Sequence, residues 1–287
     1  MPSLPVNSNS RRRFLKMAAT SSLLLPASRC FAGIGRQDTT LIADHAVRDA
    51  MAKAREFDQD FSGDVYLDKR QWPNLQRSLA RLARVRHVIG YANFSLLCFD
   101  DALRYARRYP VIGAFTQAEL HFLDDIFNTD ARIYGFLGEK TAHSLTESIT
   151  RRDVIKLEGS GQYLYRGDAH HTFLRLQRDV GPQLQLTSGI RGIVKQIHLF
   201  LAKANLTHGN LSRAARQLAP PGHSFHGIGD FDVGQLGLGA ANFTARFASS
   251  EVYKRVQALG YSNIRYPQSN PYGVRYEPWH IKVVNHA

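Results

Sequence analysis

Apolar and polar positions change rhythm about halfway along the chain. Between residues 40 and about 149, apolar residues recur at helical spacing. Residues 43–57 mix alanine, methionine and charges in that rhythm, and residues 73–91 carry Leu75, Leu79, Leu82 and Val85 on one stripe. Residues 99–109 form a shorter amphipathic piece that must stop before Pro110. Thr116-Gln117-Ala118-Glu119 has the Thr-x-x-Glu form of a capping box and predicts a helix through Phe127. No unit recurs at the period of roughly 20–50 residues that marks a solenoid.

Beyond residue 150, glycines, short apolar runs and alternation take over, as in an α+β domain. The pattern predicts a short helix over residues 173–180 and a strand over 184–187. A turn at Ser188-Gly189-Ile190-Arg191 then leads into a helix through Lys203. A helix over 211–218 is halted by Pro220-Pro221, and residues 228–233 read as a strand with Asp230 and Asp232 on one face. A helix over 251–259 and a closing strand over 276–284 complete the set. The expected architecture is α+β: a mostly helical region over 40–150, then residues 151–287 with a small antiparallel sheet, helices on one side and a groove across it.

The first 32 residues belong to a different logic. Ser10-Arg11-Arg12-Arg13-Phe14-Leu15-Lys16 fits the twin-arginine export pattern S-R-R-x-F-L-K, and an apolar run over 17–25, Pro26 and a small residue at Ala32 follow. Residues 1–32 are therefore expected to be a signal peptide read by the twin-arginine export machinery, with the mature protein in the periplasm or cell envelope. A basic arm that binds nucleic acid or anionic lipid is the alternative. The formal charge is +13, and Arg11, Arg12, Arg13, Lys16 and Arg29 of that surplus fall within this segment. Removing it leaves Cys98 without Cys30, so no internal disulfide is expected, which suits folding in a reducing compartment before export. A hydrophobic share of 44% with 21% charged residues describes an ordinary globular chain. No apolar run reaches the roughly 18 residues of a membrane span. No basic helix with interleaved aromatics follows the segment, so nucleic-acid binding is not expected.

Candidate chemistry is concentrated in the last quarter, in Pro221 to Val233 and in Tyr276-Glu277-Pro278-Trp279-His280. These stretches supply imidazoles at His226 and His280, a carboxylate at Asp232, and a further carboxylate at Glu277. Catalytic zinc is usually held by three protein nitrogens or oxygens with one position open to water, and a nearby glutamate can move that water's proton. Two other features are weighed and set aside. Asp58 to Asp64 copies the first half of a calcium-binding loop, but Lys69 stands where the closing glutamate belongs, so an acidic turn is expected. His170-His171 read as a surface pair, since neighbours on a strand face opposite ways.

Three separated motifs carry a family resemblance. Ser188-Gly189-Ile190-Arg191-Gly192 with Gln196 resembles S-G-Y-R-S-x-x-x-Q, and Ser224-Phe225-His226-Gly227-Ile228-Gly229 with Asp232 resembles S-x-H-x-x-G-x-A-x-D. Glu277-Pro278-Trp279-His280 matches E-x-W-H. Together, over residues 155–284, they resemble the VanY-type D-alanyl-D-alanine carboxypeptidases of the LAS zinc metallopeptidases. That resemblance implies Zn2+ held by His226, Asp232 and His280, with Glu277 as general base and then acid. It also implies Arg191 on the oxyanion, Ser224 and Gln196 on substrate polar groups, and Trp279 packed beside the metal. The substrate it implies is a peptidoglycan stem peptide cut at a bond to a D-amino acid. Two departures bear on this. Asp232 lies six positions after His226 where the family has seven, which leaves Asp230 as the alternative ligand, and Ile190 replaces the family's tyrosine. An endopeptidase acting on cross-links, or a catalytically inactive wall-binding module, are the other readings.

Overall fold

The computed structural model describes residues 36–260 and 262–284; the signal-peptide assignment lies outside them. Residues 41–287 form one compact unit. The chain runs α1 (Arg36–Arg55), α2 (Trp72–Ile89), α3 (Tyr91–Phe94), α4 (Phe99–Arg108) and α5 (Gln117–Asn128). A small hairpin of β1 (Val154–Lys156) and β2 (Tyr163–Tyr165) leads to α6 (Asp168–Val180), β3 (Leu184–Ser188), α7 (Ile193–Leu206) and α8 (Leu211–Ala215). Then come β4 (Phe231–Gln235), α9 (Glu251–Ala258), β5 (Asn263–Tyr266) and β6 (Glu277–Lys282). The main sheet is wholly antiparallel in the order β3-β4-β6-β5. The fold is α+β with a helical N-terminal region.

Two apolar clusters hold it together. In the first, Leu75, Leu82 and Val85 of α2 meet Phe122, Leu123 and Ile126 of α5 and Ile197, Phe200 and Leu201 of α7. In the second, α6 and α9 cover one face of the sheet through Phe173, Leu176, Val252 and Val256, against Leu186, Phe231, Val233 and Ile281. At about 1.5–3 kcal/mol for each large side chain buried, these clusters supply the main drive to fold.

Local signals explain most element ends. Thr116 Oγ1 accepts from the Glu119 N–H at 3.3 Å, and Glu119 Oε2 accepts from the Thr116 N–H at 2.7 Å, closing the capping box of α5. Glu119 is fully buried and also holds Arg81 at 3.0 Å, so one carboxylate starts a helix and ties it to α2. α6 begins five residues before the predicted helix, which puts His170 and His171 on a helix rather than a strand; His171 is exposed and His170 half-buried. β1, β2 and β5 were not legible as strands, being three or four residues long. β4 starts at Phe231 rather than 228, because residues 225–227 form a tight turn and Gly229 takes a φ of 132° that favours glycine.

The acidic turn of residues 58–64 is a structural clamp. Both Asp64 oxygens receive Arg216, at 2.7 and 2.9 Å, and Asn210 Nδ2 donates to Asp60 at 2.9 Å and Asp64 at 2.7 Å. Burial opposes the Asp64 charge, but Arg216, Asn210 and the Phe61 N–H outweigh it and hold the carboxyl at about 2. Because the folded value lies below the ordinary one, this stabilisation is present above about pH 4 and drains away only as pH falls toward 2. Arg216→Ala leaves a buried carboxylate unpaired and is expected to lower stability by about 3–5 kcal/mol, read from urea unfolding at pH 7.

Candidate metal centre

Alternation along two neighbouring strands builds the site. In β4, Phe231 and Val233 enter the apolar cluster under α6 and α9, so Asp232 between them must face the other side. In β6, Trp279 and Ile281 do the same and leave His280 opposite. The register pairs Asp232 with His280 and Ser188 with Asp232, so three adjacent strands line up three polar side chains. His226 arrives from the turn Phe225–Gly227, and its ring lies 4.7 Å from that of His280, edge to face. All three of His226, Asp232 and His280 are buried.

Hydrogen bonds behind the rings set which nitrogens are free. The Gly189 carbonyl can only accept, so His226 Nδ1–H donates to it at 2.9 Å and Nε2 is bare. His280 Nε2–H donates to Asp230 Oδ2 at 3.1 Å, which leaves Nδ1 toward the site. Asp232 Oδ1 lies 3.3 Å from His226 Nε2 and 3.5 Å from His280 Nδ1, yet it is buried without a hydrogen bond. One ligand atom from each of the three lies within 4.8 Å of the others. An orphaned carboxylate oxygen flanked by two imidazole nitrogens fits a divalent cation, and two imidazoles with one carboxylate suit zinc with one position open. The cluster's demand for positive charge is visible in Arg191, whose Nη2 lies 2.8 Å from His226 Nε2, 3.1 Å from Asp232 Oδ2 and 3.3 Å from Ser188 Oγ.

Electrostatics agree with this division. Burial, then the Arg191 charge, depress His226 to about 4, so it is neutral. Burial opposes ionised Asp232, but His226, His280 and Arg191 outweigh it and hold the carboxyl at about 2. For His280, burial again opposes the charge; Asp230, Glu277 and Asp232 outweigh it and raise the ring to about 9. A dication would take the place of that proton.

Asp230 has a different task from Asp232. Its Oδ1 accepts from Val283 N–H at 2.9 Å and Arg265 at 3.0 Å, and its Oδ2 accepts from Arg265 at 2.7 Å and from His280. With both oxygens committed, it orients the His280 ring. Strand alternation alone put both aspartates on one face. The late start of β4 separates them.

Glu277 and His280 reach one cavity although they are three residues apart on a strand. Opposite β6, β5 advances two residues, from Ile264 to Tyr266, while β6 steps from Ile281 back to Glu277. Pro278, with no N–H to donate, sits inside that bulge. Glu277 Oε2 then lies 3.4 Å from His280 Nδ1, and Oε1 lies 3.7 Å from Arg275 Nε. The cavity, of about 210 Å³, is walled by the trio, Glu277, Arg191 and Ser224. Trp279 belongs mainly to the apolar cluster beneath and also touches the cavity wall. Gln196 does not line this cavity. It donates to the Ala219 carbonyl and faces a neighbouring space of about 60 Å³ that shares Arg191 and Ser224 as walls. The sequence reading missed Arg265 and Arg275. Arg275 had a signal of sorts, standing two residues before Glu277.

One equivalent of Zn2+ is expected to bind the purified protein. Asp232→Ala should abolish that binding, while Asp230→Ala should weaken it about 10- to 100-fold by freeing the His280 ring. Isothermal calorimetry with ZnCl2 checks both, and equal losses would contradict the division of roles.

Residues 166–286 match the family described as VanY, D-alanyl-D-alanine carboxypeptidase, and this segment contains every residue of the trio as well as Arg191, Ser224 and Glu277. No curated protein matches the chain. Among solved structures, the LdcB LD-carboxypeptidase, whose structure is described as revealing the molecular basis of peptidoglycan recognition, is similar at 26% identity with a TM-score of 0.36. That similarity covers 46% of this chain and 64% of the other, so the chain spans less than two thirds of that protein. By sequence, then, the part of the chain that holds the candidate metal centre is the part similar to the VanY carboxypeptidases.

Proposed function

We propose that this protein is a zinc-dependent peptidase that hydrolyses peptidoglycan stem peptides at a bond to a D-amino acid, acting as a D-alanyl-D-alanine carboxypeptidase. The observation that carries the reading is the convergence of His226, Asp232 and His280 with Glu277 in one cavity, inside the segment that matches the VanY family. Residues 151–287 would be the peptidase domain and 40–150 a helical cover for it. The site acts outside the cytoplasm on this reading, after export by the segment at residues 1–32.

Zinc would be held by His226 Nε2, Asp232 and His280 Nδ1; when bound, it supplies the Lewis acidity that brings water's pKa near neutrality. The chain's own groups do the rest. Glu277 takes a proton from the attacking water as its oxygen bonds to the scissile carbonyl carbon. As the C–N bond breaks, Glu277 passes that proton to the departing amine. Arg191, on the cavity wall, offsets the negative charge that develops on the carbonyl oxygen. Asp230 keeps His280 in the tautomer that presents Nδ1, and Gly189 does the same for Nε2 of His226. Ser224 and Gln196, which border the two adjoining spaces, are assigned to polar groups of the substrate.

An endopeptidase is the second reading, favoured by one feature. A larger space of about 490 Å³ adjoins the catalytic cavity through Val274 and Arg275, and it could admit chain beyond the cut bond.

Glu277→Gln is expected to reduce hydrolysis at least about 100-fold while zinc stoichiometry stays at one. Incubating defined muropeptides with wild type and variant, and weighing the products by mass spectrometry, tests the role and names the bond.

A further inference from the structure

Three cations line the catalytic cavity: Arg191, Arg275 and Lys195. Two of them have carboxylates, since Arg191 lies on Asp232 at 3.1 Å and Arg275 lies 3.7 Å from Glu277 while also facing the Trp279 and Phe57 rings. Lys195 differs. It lies in the first turn of α7, within Ile193-Val194-Lys195-Gln196-Ile197, and is only 3% exposed. Its ammonium donates to Ser95 Oγ at 3.0 Å and sits 5.1 Å from the centre of the Tyr91 ring. Among the described residues it makes no ion pair. An ammonium has three donors, and the Ser95 bond uses one.

A buried cation without an anion is costly unless a partner arrives to offset it. Burial, then the Arg191 charge, press the Lys195 ammonium down to about 7, and the Asp232 charge offsets this only in part. An anion entering the cavity would restore the charged form. The same cavity wall carries the Tyr91 ring and the apolar side chains of Leu199, Leu218 and Ala219. Leu199, one turn on from Lys195, shares its face of α7.

We propose that Lys195 receives the free terminal carboxylate of the peptide substrate, and so makes this cavity select for chain ends. The proposal rests on the peptidase reading above. It assigns the terminal carboxylate to Lys195 and leaves Ser224 and Gln196 to the substrate's other polar groups. In the Arg191 motif, Lys195 occupies one of the three unspecified positions before Gln196, so it is a feature of this chain and not of the motif.

The test compares a peptide ending in D-alanyl-D-alanine with the same peptide as its C-terminal carboxamide, using the zinc-loaded protein. Wild type should prefer the free carboxylate by about 10- to 100-fold in kcat/KM, the range expected for a charge-assisted contact. Lys195→Met keeps the hydrocarbon bulk and should lose that preference mainly through KM, with carboxamide turnover changed by less than about threefold. Equal losses on both peptides would show a merely structural lysine and overturn the proposal, as would an unchanged preference in the variant. A wild type that cleaves the carboxamide as well as the free acid overturns the Lys195 role while the peptidase stands. Should neither peptide be cleaved, the peptidase reading falls and the proposal with it. Inhibition of wild type gives a readout that needs no variant: D-alanine should inhibit at least about tenfold more strongly than D-alaninamide, and equal inhibition overturns the proposal.

Discussion

The contact on which the site depends is the one between His280 and its two aspartates. Asp230 takes the proton on Nε2, Asp232 faces Nδ1, and the ring is held between them in the interior. Each carboxylate is itself tied down, Asp230 by Arg265 and the Val283 N–H and Asp232 by Arg191. In a low-dielectric interior such a row is stable only when every charge has a counter-charge. Asp232 has its counter-charge in Arg191, yet its Oδ1 is buried without a hydrogen bond, and that oxygen is where a metal fits.

Fold and chemistry share the same sheet without competing for it. Phe231 and Val233 of β4 and Trp279 and Ile281 of β6 pack toward α6 and α9, and Asp232 and His280 between them face the cavity. The apolar side fixes the register, because a slip of one residue would turn Phe231 and Ile281 into the cavity and Asp232 and His280 into the core. Packing under the sheet thereby places the candidate ligands above it. Elsewhere on the cavity wall, α7 contributes Lys195 and Leu199, while Ile193, Val194, Ile197, Phe200, Leu201 and Ala204 join the helical cluster with α2 and α5.

Much of this was legible in the sequence where one residue type answers one physical demand. The capping box at Thr116, the stripe Leu75, Leu82 and Val85, and the Glu277-Pro278-Trp279-His280 motif each state their own structure. Other features depend on partners far along the chain. Asp230 and Asp232 look equivalent in a strand pattern, and only the turn at Phe225–Gly227 and the distant Arg265 separate them. Asp64 looked like half of a cation loop until Arg216 supplied the charge that occupies it. Lys195 is hidden for a similar reason: a lysine inside an apolar run gives no sign of facing a cavity. Short strands such as β2 and β5 exist because neighbours pair with them, and their own residues scarcely announce it.

The bulge in β6 also limits how this stretch of chain can vary over generations. With a regular pleat, the residue sharing a face with His280 would be Pro278, and the acid at 277 would point away. The kink is therefore what the spacing of three requires: straightening it at the same length would turn the carboxylate away from the cavity and bring Pro278 there, even though the strand itself could still form. Lineages descended from this chain must keep the kink and the spacing together, while Trp279 is held separately by its place in the apolar cluster.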